Sequence, residues 1–130
     1  MRAGAAQTNI PPLVGTSLAG YFHDRKMVDV RDELHAKAIV MDDGDTQVAV
    51  VVCDIIAVPG DTVAEARALA ASACGIPAEN ILIAATHTHT AASPAGLLGT
   101  PRADEYMDAL PAKIADSIVR AVARLQPAKW

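Results

Sequence analysis

The apolar residues of the chain fall into short runs, and three of these runs predict β-strands. Residues 34–41 and 47–54 flank Asp42-Asp43-Gly44-Asp45, whose Asp-Gly pair is typical of a hairpin turn, so the two strands should be antiparallel neighbours. Within the second run, residues 48–53 are apolar without alternation, which is typical of a central strand covered on both faces. The third strand covers residues 81–85.

Two further segments have the apolar spacing of amphipathic helices. In the first, residues 62–74, Asp61 is a suitable N-cap, Gly75 a suitable end, and one face carries Val63, Ala66, Leu69, Ala70 and Ala73. Because this helix lies between the strands 47–54 and 81–85, we expect a right-handed βαβ crossover with those strands parallel. The second helix covers residues 103–125, where Pro111 marks a kink or the boundary between two helices.

The two ends of the chain carry weaker patterns. The first 30 residues have few periodic apolar positions and several prolines and glycines, which predicts an irregular arm with short extended pieces. Residues 126–130 follow the last helix without a clear strand. The fold class predicted is therefore α/β, a small mixed sheet with a hairpin, a βαβ unit and helices packed on it, forming one domain over residues 1–130. About three strands make a thin sheet, so we expect either part of a larger domain or a protein that covers its sheet by forming a homo-oligomer.

Composition excludes several classes of function. With 130 residues and 52% hydrophobic residues the chain should fold, but aromatics make up only 3%, so its core must be built from Ala, Val, Ile and Leu. The net charge of −4 and the lack of aromatic stacking platforms argue against nucleic acid. No signal peptide or run of about 18 apolar residues is present, which predicts a cytoplasmic protein without a transmembrane segment. Cys53 and Cys74 are interpreted as small buried hydrophobes rather than nucleophiles.

The strongest candidate for chemistry is Thr86-His87-Thr88-His89-Thr90, directly after the strand 81–85. In extended backbone, residues i and i+2 project to the same face, so His87 and His89 can converge on one metal ion or substrate. Ligand crevices form at strand ends in open α/β sheets. The alternative is a pair of histidines that merely cap a strand.

The predicted parallel pairing brings Asp54 to the same edge of the sheet. Asp54 is then a candidate metal ligand, an acceptor that fixes a histidine tautomer, or simply a cap of the following loop. Catalytic zinc usually has three protein ligands, and the two histidines leave one missing, for which Asp54, His23 and His35 are the candidates. His23 lies in a polar loop and fits a substrate contact better than a rigid ligand. Ser93 has no nucleophile elbow around it, and we place it among the predicted substrate contacts.

Seven short motifs, taken in order over residues 8–127, resemble the start of the neutral/alkaline non-lysosomal ceramidase family. They are Asn9-Ile10-Pro11-Pro12, Leu18-Ala19-Gly20-Tyr21, Asp32-Glu33-Leu34-His35-Ala36-Lys37-Ala38, Asp42-Asp43-Gly44, Val52-Cys53-Asp54, Gly75-Ile76-Pro77-Ala78-Glu79-Asn80-Ile81 and Ala85-Thr86-His87-Thr88-His89. The chain departs from the family where Thr90-Ala91-Ala92-Ser93-Pro94 replaces the usual Ser-Gly-Pro, and where Arg31 and Lys37 replace a common histidine and arginine.

The resemblance implies a zinc-dependent hydrolase of an amide (N-acyl) bond in a small-molecule or lipid-like substrate such as a sphingolipid. On this basis His87 would be the zinc ligand and His89 would lie beside the reacting group, while the predicted strand geometry adds Asp54 as a residue that supports them. The family's other ligands, a histidine, a glutamate and a tyrosine, come from later in a far longer chain. The competing hypothesis is a non-catalytic, truncated or degenerate ceramidase-like domain with a structural or oligomerisation role.

Overall fold

The computed structural model describes residues 1–129 of the chain. Its elements, in chain order, are β1 (Arg2–Asn9), β2 (Ser17–Leu18), β3 (Arg25–Lys26), β4 (His35–Asp42), β5 (Gln47–Cys53), α1 (Gly60–Cys74), a short 3-10 turn (Ala78–Asn80), β6 (Ile81–Ala85), α2 (Asp104–Val122) and β7 (Gln126–Pro127). Five strands form one mixed sheet in the order β6-β5-β4-β1-β7, while β2 and β3 form a separate two-stranded sheet. The predicted α/β class is confirmed.

Strand pairing follows the hairpin and the crossover that the sequence predicts. β4 and β5 are antiparallel around the Asp-Gly turn, with Asp42 opposite Gln47 and Ala36 opposite Cys53. The backbone N–H of Gly44 donates to the Asp42 carboxylate, and this bond is the main reason why the pKa of Asp42 lies below its usual value. β5 and β6 are parallel and joined through α1. The C-terminal ends of these two strands therefore lie side by side.

The hydrophobic core lies between one face of the sheet and the two helices. Alternate residues of the strands point into it, since Ala36, Ala38 and Val40 of β4 and Ala49, Val51 and Cys53 of β5 are buried. From α2 the core receives mainly Met107, Leu110, Ile114 and Ile118, all nearly or fully buried. As the low aromatic content predicts, small and branched aliphatic side chains fill this space.

The opposite face of the sheet is open, which corrects one prediction. The run 48–53 was expected to be covered on both faces, but Val48, Val50 and Val52 are only half-buried. On their neighbours, Ile39 is 51% and Leu82 53% exposed. Both helices pack into the same core, so among residues 1–129 no helix covers this face. The uninterrupted apolar run therefore belongs to a strand with two apolar faces, of which only one is buried within the described residues.

The N-terminal segment is more regular than predicted. Residues 2–9 form a full strand, β1, paired antiparallel with β4 along its entire length from Arg2 opposite Asp42 to Asn9 opposite His35. The pattern was missed because its inward residues are small, and Gly4 and Ala6 do not look like core positions. Near the C-terminus of the chain, the two residues of β7 pair with Arg2 and Ala3 at the start of β1. Trp130 lies outside the described residues.

The helix boundaries also differ in detail. α1 begins at Gly60 after Pro59, and the Asp61 carboxylate accepts the N–H of Thr62 from inside the first turn, so the prediction of Asp61 as N-cap is wrong. Its buried face is Thr62, Ala66 and Ala70, while Leu69 is exposed. The predicted end at Gly75 is confirmed. α2 continues through the buried Pro111 as one helix.

Gly4 provides a test of how β1 packs. A Cβ at this position would overlap the carbonyl oxygen of Ala121 in α2 and lie 3.0 Å from Arg124 C, so the helix backbone rests directly on the strand. Gly4→Ala should therefore lower the free energy of unfolding by about 1–3 kcal/mol, measured by urea denaturation. Gly60→Ala is the control, because nothing lies within 4 Å of its Cβ position. An equal loss in both variants would contradict the close packing.

Candidate active site

The two histidines lie where β6 leaves the sheet beside β5. The parallel ladder continues past the strand end, because the Thr86 N–H donates to the carbonyl of Cys53 (3.0 Å) and the His87 N–H to that of Ile55 (3.1 Å). This fixes His87 against the loop that follows β5. The predicted position at a sheet edge, next to the end of a parallel neighbour, is confirmed.

His87 adopts a backbone conformation that side-chain-bearing residues rarely take. Its φ is +64°, in the left-handed region, and it shares this property with only one other non-glycine residue among residues 1–129, Leu98. The two rings approach each other through this turn rather than through extended backbone, which corrects the geometric argument made from the sequence. Their centroids are 5.1 Å apart at an interplanar angle of 74°.

Each imidazole is held by a backbone carbonyl at the same ring atom. His87 Nδ1 lies 2.8 Å from the Ile56 oxygen and His89 Nδ1 lies 3.0 Å from the Gly20 oxygen. A carbonyl oxygen can only accept, so both Nδ1 atoms carry the proton and donate it. The Nε2 atoms of the neutral rings are then left with their lone pairs available, and both side chains are exposed.

Asp54 lies at the same edge, but its carboxylate faces the other way. Its Oδ2 accepts the His35 N–H (3.0 Å) and pairs with Lys37 Nζ (2.8 Å), both on β4. The sequence made this carboxylate a candidate acceptor for a histidine ring, but both rings are held by backbone carbonyls instead. Asp54 thus ties the end of β5 to β4, and the structure does not bring it to either Nδ1. His35 contacts the Asp54 carboxylate through its backbone N–H and not through its imidazole.

The two predicted substrate contacts lie in different environments. His23 is exposed on the segment that borders His89, with its ring centroid 6.0 Å from that of Tyr21, and its carbonyl accepts a bond from Thr100 Oγ1 (3.4 Å). Ser93 is buried at 2% exposure, and its hydroxyl donates to the Ala95 carbonyl (2.7 Å). His23 is therefore accessible at the surface, whereas the Ser93 hydroxyl is occupied by a hydrogen bond within its own loop. Their roles toward a substrate stay predictions.

Sequence reasoning missed the segment that surrounds His89. Gly20 supplies the carbonyl for its ring, Tyr21 places a ring edge-on at 6.5 Å, and Arg25 donates to the His89 carbonyl (2.5 Å). β2 lies just before this segment, and its Leu18 forms a β-bridge with Ala92, three residues after His89. The sequence singled out His23 in this segment as a substrate contact, but it gave no reason to single out Gly20, Tyr21 or Arg25 beyond the motif Leu18-Ala19-Gly20-Tyr21.

Of the two cysteines predicted to be buried, Cys53 is buried and Cys74 is only half-buried. Cys53 is fully buried in β5, and burial raises the pKa of its thiol to about 12, with a further contribution from the neighbouring Asp54 charge. Its thiolate is therefore scarce at neutral pH. Cys74, at the end of α1, donates its thiol to the Ala70 carbonyl (3.1 Å).

Two solved ceramidase structures share this fold over almost the whole chain. The neutral ceramidase from Pseudomonas aeruginosa superposes with a TM-score of 0.85 at 25% sequence identity, and the match covers 97% of this chain. A ceramidase complexed with C2 gives a TM-score of 0.83 at 25% identity over 97% of the chain. The chain is a ceramidase-like domain. It spans 22% of the length of each of these two proteins.

The resemblance that the seven motifs predict is thus confirmed at the level of the fold. No protein-family model matches the sequence, and no curated protein matches it. The ceramidase-like domain contains no helix, within residues 1–129, that is both long and apolar enough to cross a membrane. Over the same residues, no three side chains of His, Cys, Asp or Glu are grouped so that they could hold a metal ion. Neither His23, His35 nor Asp54 therefore completes a three-ligand set with His87 and His89.

The left-handed backbone of His87 predicts an unusual order of variant stabilities. A residue with a Cβ pays about 1–2 kcal/mol in this region, whereas glycine does not. We expect His87→Gly to be more stable than His87→Ala by about 1 kcal/mol, measured by thermal and urea unfolding. At Thr88, which does not have a positive φ, the order should reverse, because glycine there only adds backbone freedom. The same order at both positions would contradict the strained turn.

Proposed function

We propose that this ceramidase-like domain supplies His87 and His89 to the active site of a zinc-dependent hydrolase of amide (N-acyl) bonds. The observation that carries the proposal is the pair of hydrogen bonds from Nδ1 to the carbonyls of Ile56 and Gly20. Such bonds fix an imidazole in the tautomer and orientation that a metal ligand requires, because Nε2 keeps its lone pair. The ceramidase fold of the whole chain supports the same assignment.

The two histidines are suited to different tasks. His87 is the better ligand, because the β5–β6 ladder fixes its backbone on one side and the Ile56 carbonyl fixes its ring on the other. A bound zinc ion would act as a Lewis acid and lower the pKa of a coordinated water toward neutrality. The His89 ring lies beside the His87 ring and could exchange a proton at Nε2 with a substrate group. The Gly20 carbonyl at its Nδ1 would stabilise the imidazolium that forms.

Exposed apolar side chains near the histidines favour a lipid-like acyl substrate. The Thr100 hydroxyl joins the loop 95–100 to the segment 20–25 through the His23 carbonyl. Phe22 on one side is 86% exposed, and Leu97 and Leu98 on the other are 67% and 54% exposed. Acyl chains bind to apolar surface, whereas a charged substrate would gain nothing from it.

In this proposal, the remaining zinc ligands are supplied by residues outside this chain. His87 and His89 provide at most two of the three protein ligands that catalytic zinc usually has, and within residues 1–129 no third is in place. The chain also spans 22% of the length of the neutral ceramidase it matches. We therefore propose that residues 1–130 act as one domain of a larger hydrolase.

Zinc binding by the domain tests the metal role. Calorimetric titration of the metal-free chain should show one zinc ion bound with modest affinity. In His87→Ala the affinity should fall at least about tenfold, because a directly bound imidazole is lost. His23→Ala is the matched control, since it removes an exposed imidazole from the neighbouring loop. Equal uptake by His87→Ala would remove His87 as a ligand. No uptake by the wild type would remove the metal role from this chain by itself.

A non-catalytic ceramidase-like domain is the second candidate. It is favoured by the incomplete ligand set within residues 1–129, and the exposed apolar face around Ile39 and Leu82 suits a structural or oligomerisation role.

An assay with short- and long-chain N-acyl amides in the presence of zinc separates the two candidates. If the chain is active by itself, hydrolysis should be lost at least about 100-fold in His87→Ala while the circular dichroism spectrum is unchanged. Such a result would exclude the non-catalytic role. No hydrolysis by the wild-type chain with zinc bound would leave catalysis dependent on sequence outside it.

A further inference from the structure

Arg25 occupies a position beside His89 that neither the fold nor the proposed metal site explains. Its Nη2 donates to the main-chain carbonyl of His89 at 2.5 Å, across 64 residues of sequence. Its guanidinium also lies over the Tyr21 ring, with Cζ 4.1 Å from the ring centroid. Planar stacking combined with a directed hydrogen bond is a geometry that arginine provides and lysine does not.

Tyr21 continues this arrangement to the imidazole itself. Its ring meets the His89 ring edge-on at 6.5 Å, so the ring that Arg25 covers also forms one wall for His89. The carbonyl of Gly20, the preceding residue, accepts the hydrogen bond from His89 Nδ1. Arg25 therefore contacts the backbone of His89 directly and its ring through Tyr21.

The contact at Gly20 leaves almost no free space. With φ at +103°, a Cβ on Gly20 would lie 2.6 Å from His89 Nδ1, closer than real Cβ atoms approach. The His89 ring therefore packs against bare backbone. Small movements of the segment 20–25 would break this hydrogen bond, because its length and angle depend on that close packing.

The Nε atom of Arg25 lies in a different environment from its Nη2 atom. Its Nε is buried and has no hydrogen-bond partner within the described part of the chain. A buried donor without a partner costs free energy.

We infer that Arg25 is a positioning residue that holds His89 as the Nδ1–H tautomer, with Nε2 directed away from the Gly20 backbone. It acts by fixing the His89 carbonyl and by holding Tyr21 against the His89 ring. The inference deepens the proposed function and rests on it for its catalytic meaning. The tautomer itself is a property of the metal-free chain.

Imidazole nitrogen NMR of the metal-free protein measures this property directly. At about pH 8, where free imidazoles are neutral, long-range ¹H–¹⁵N spectra distinguish the two tautomers of each histidine. In the wild type both His87 and His89 should show protonated Nδ1. In Arg25→Gln the His89 signals should move toward a mixture of tautomers, while His87, held by the Ile56 carbonyl, should stay unchanged as an internal reference.

Two control variants make the comparison specific. Arg31→Gln removes an exposed arginine from the same N-terminal region and should leave both histidines unchanged. Gly20→Ala should displace His89 as Arg25→Gln does, whereas Gly44→Ala, with a similar φ of +105° but open space around it, should not. Unchanged His89 signals in Arg25→Gln would overturn the inference. Equal changes at His87 and His89 would also overturn it, since they would indicate general loosening of the loop.

A second variant covers failure to fold. If Arg25→Gln is unfolded, Arg25→Lys keeps the charge and a donor for the His89 carbonyl but cannot stack as a plane on Tyr21. Mixed tautomers at His89 in this variant support the inference, and wild-type signals contradict it. Zinc titration of the same proteins separates the two proposals: a wild type that binds no zinc removes the metal role from this chain by itself, while the tautomer comparison still decides the role of Arg25.

Discussion

The candidate site depends on the parallel pairing of β5 with β6. The ladder extends beyond both strands, so that the amides of Thr86 and His87 bond to the carbonyls of Cys53 and Ile55. This brings the next carbonyl, that of Ile56, to the His87 ring. A crossover helix that left these strands apart would place the same residues in solvent without a partner. The sheet thus acts on the chemistry by placing backbone oxygens, which cannot titrate.

Backbone acceptors give the two histidines a different character from a carboxylate-supported pair. A carboxylate at Nδ1 raises the basicity of an imidazole strongly, whereas a neutral carbonyl mainly fixes its tautomer and orientation. The carboxylate of Asp54, at the same edge of the sheet, is held by Lys37 and the His35 amide on β4. The site therefore carries little negative charge from Asp54 at the imidazoles themselves.

Small residues allow the elements to approach closely enough for this arrangement. Gly4 lets the backbone of α2 rest on β1, and the core-facing positions of β4 and β5 are largely alanine and valine. The other face of the sheet is uncovered, and its side chains Ile39 and Leu82 are exposed. Gly20 repeats the close approach at the site, where backbone meets the His89 ring. Packing by small residues transmits position well, because there are few flexible side chains to absorb a shift.

The sequence by itself determined the elements whose signals are local. The hairpin at Asp43-Gly44, the end of α1 at Gly75 and the order strand, helix, strand follow from turn chemistry and periodicity, and together they place His87 and His89 at a sheet edge. β1 escaped prediction because a strand of alanine, glycine and polar residues is defined by its partner β4 rather than by its own pattern. Only the tertiary structure decided which atoms hold the imidazoles. Backbone carbonyls have the same chemistry at every residue, so the identities of residues 56 and 20 could not predict that their carbonyls bind the histidine rings. The contact between Arg25 and His89, 64 residues apart, likewise exists only once the segment 17–25 has folded against the loop after β6.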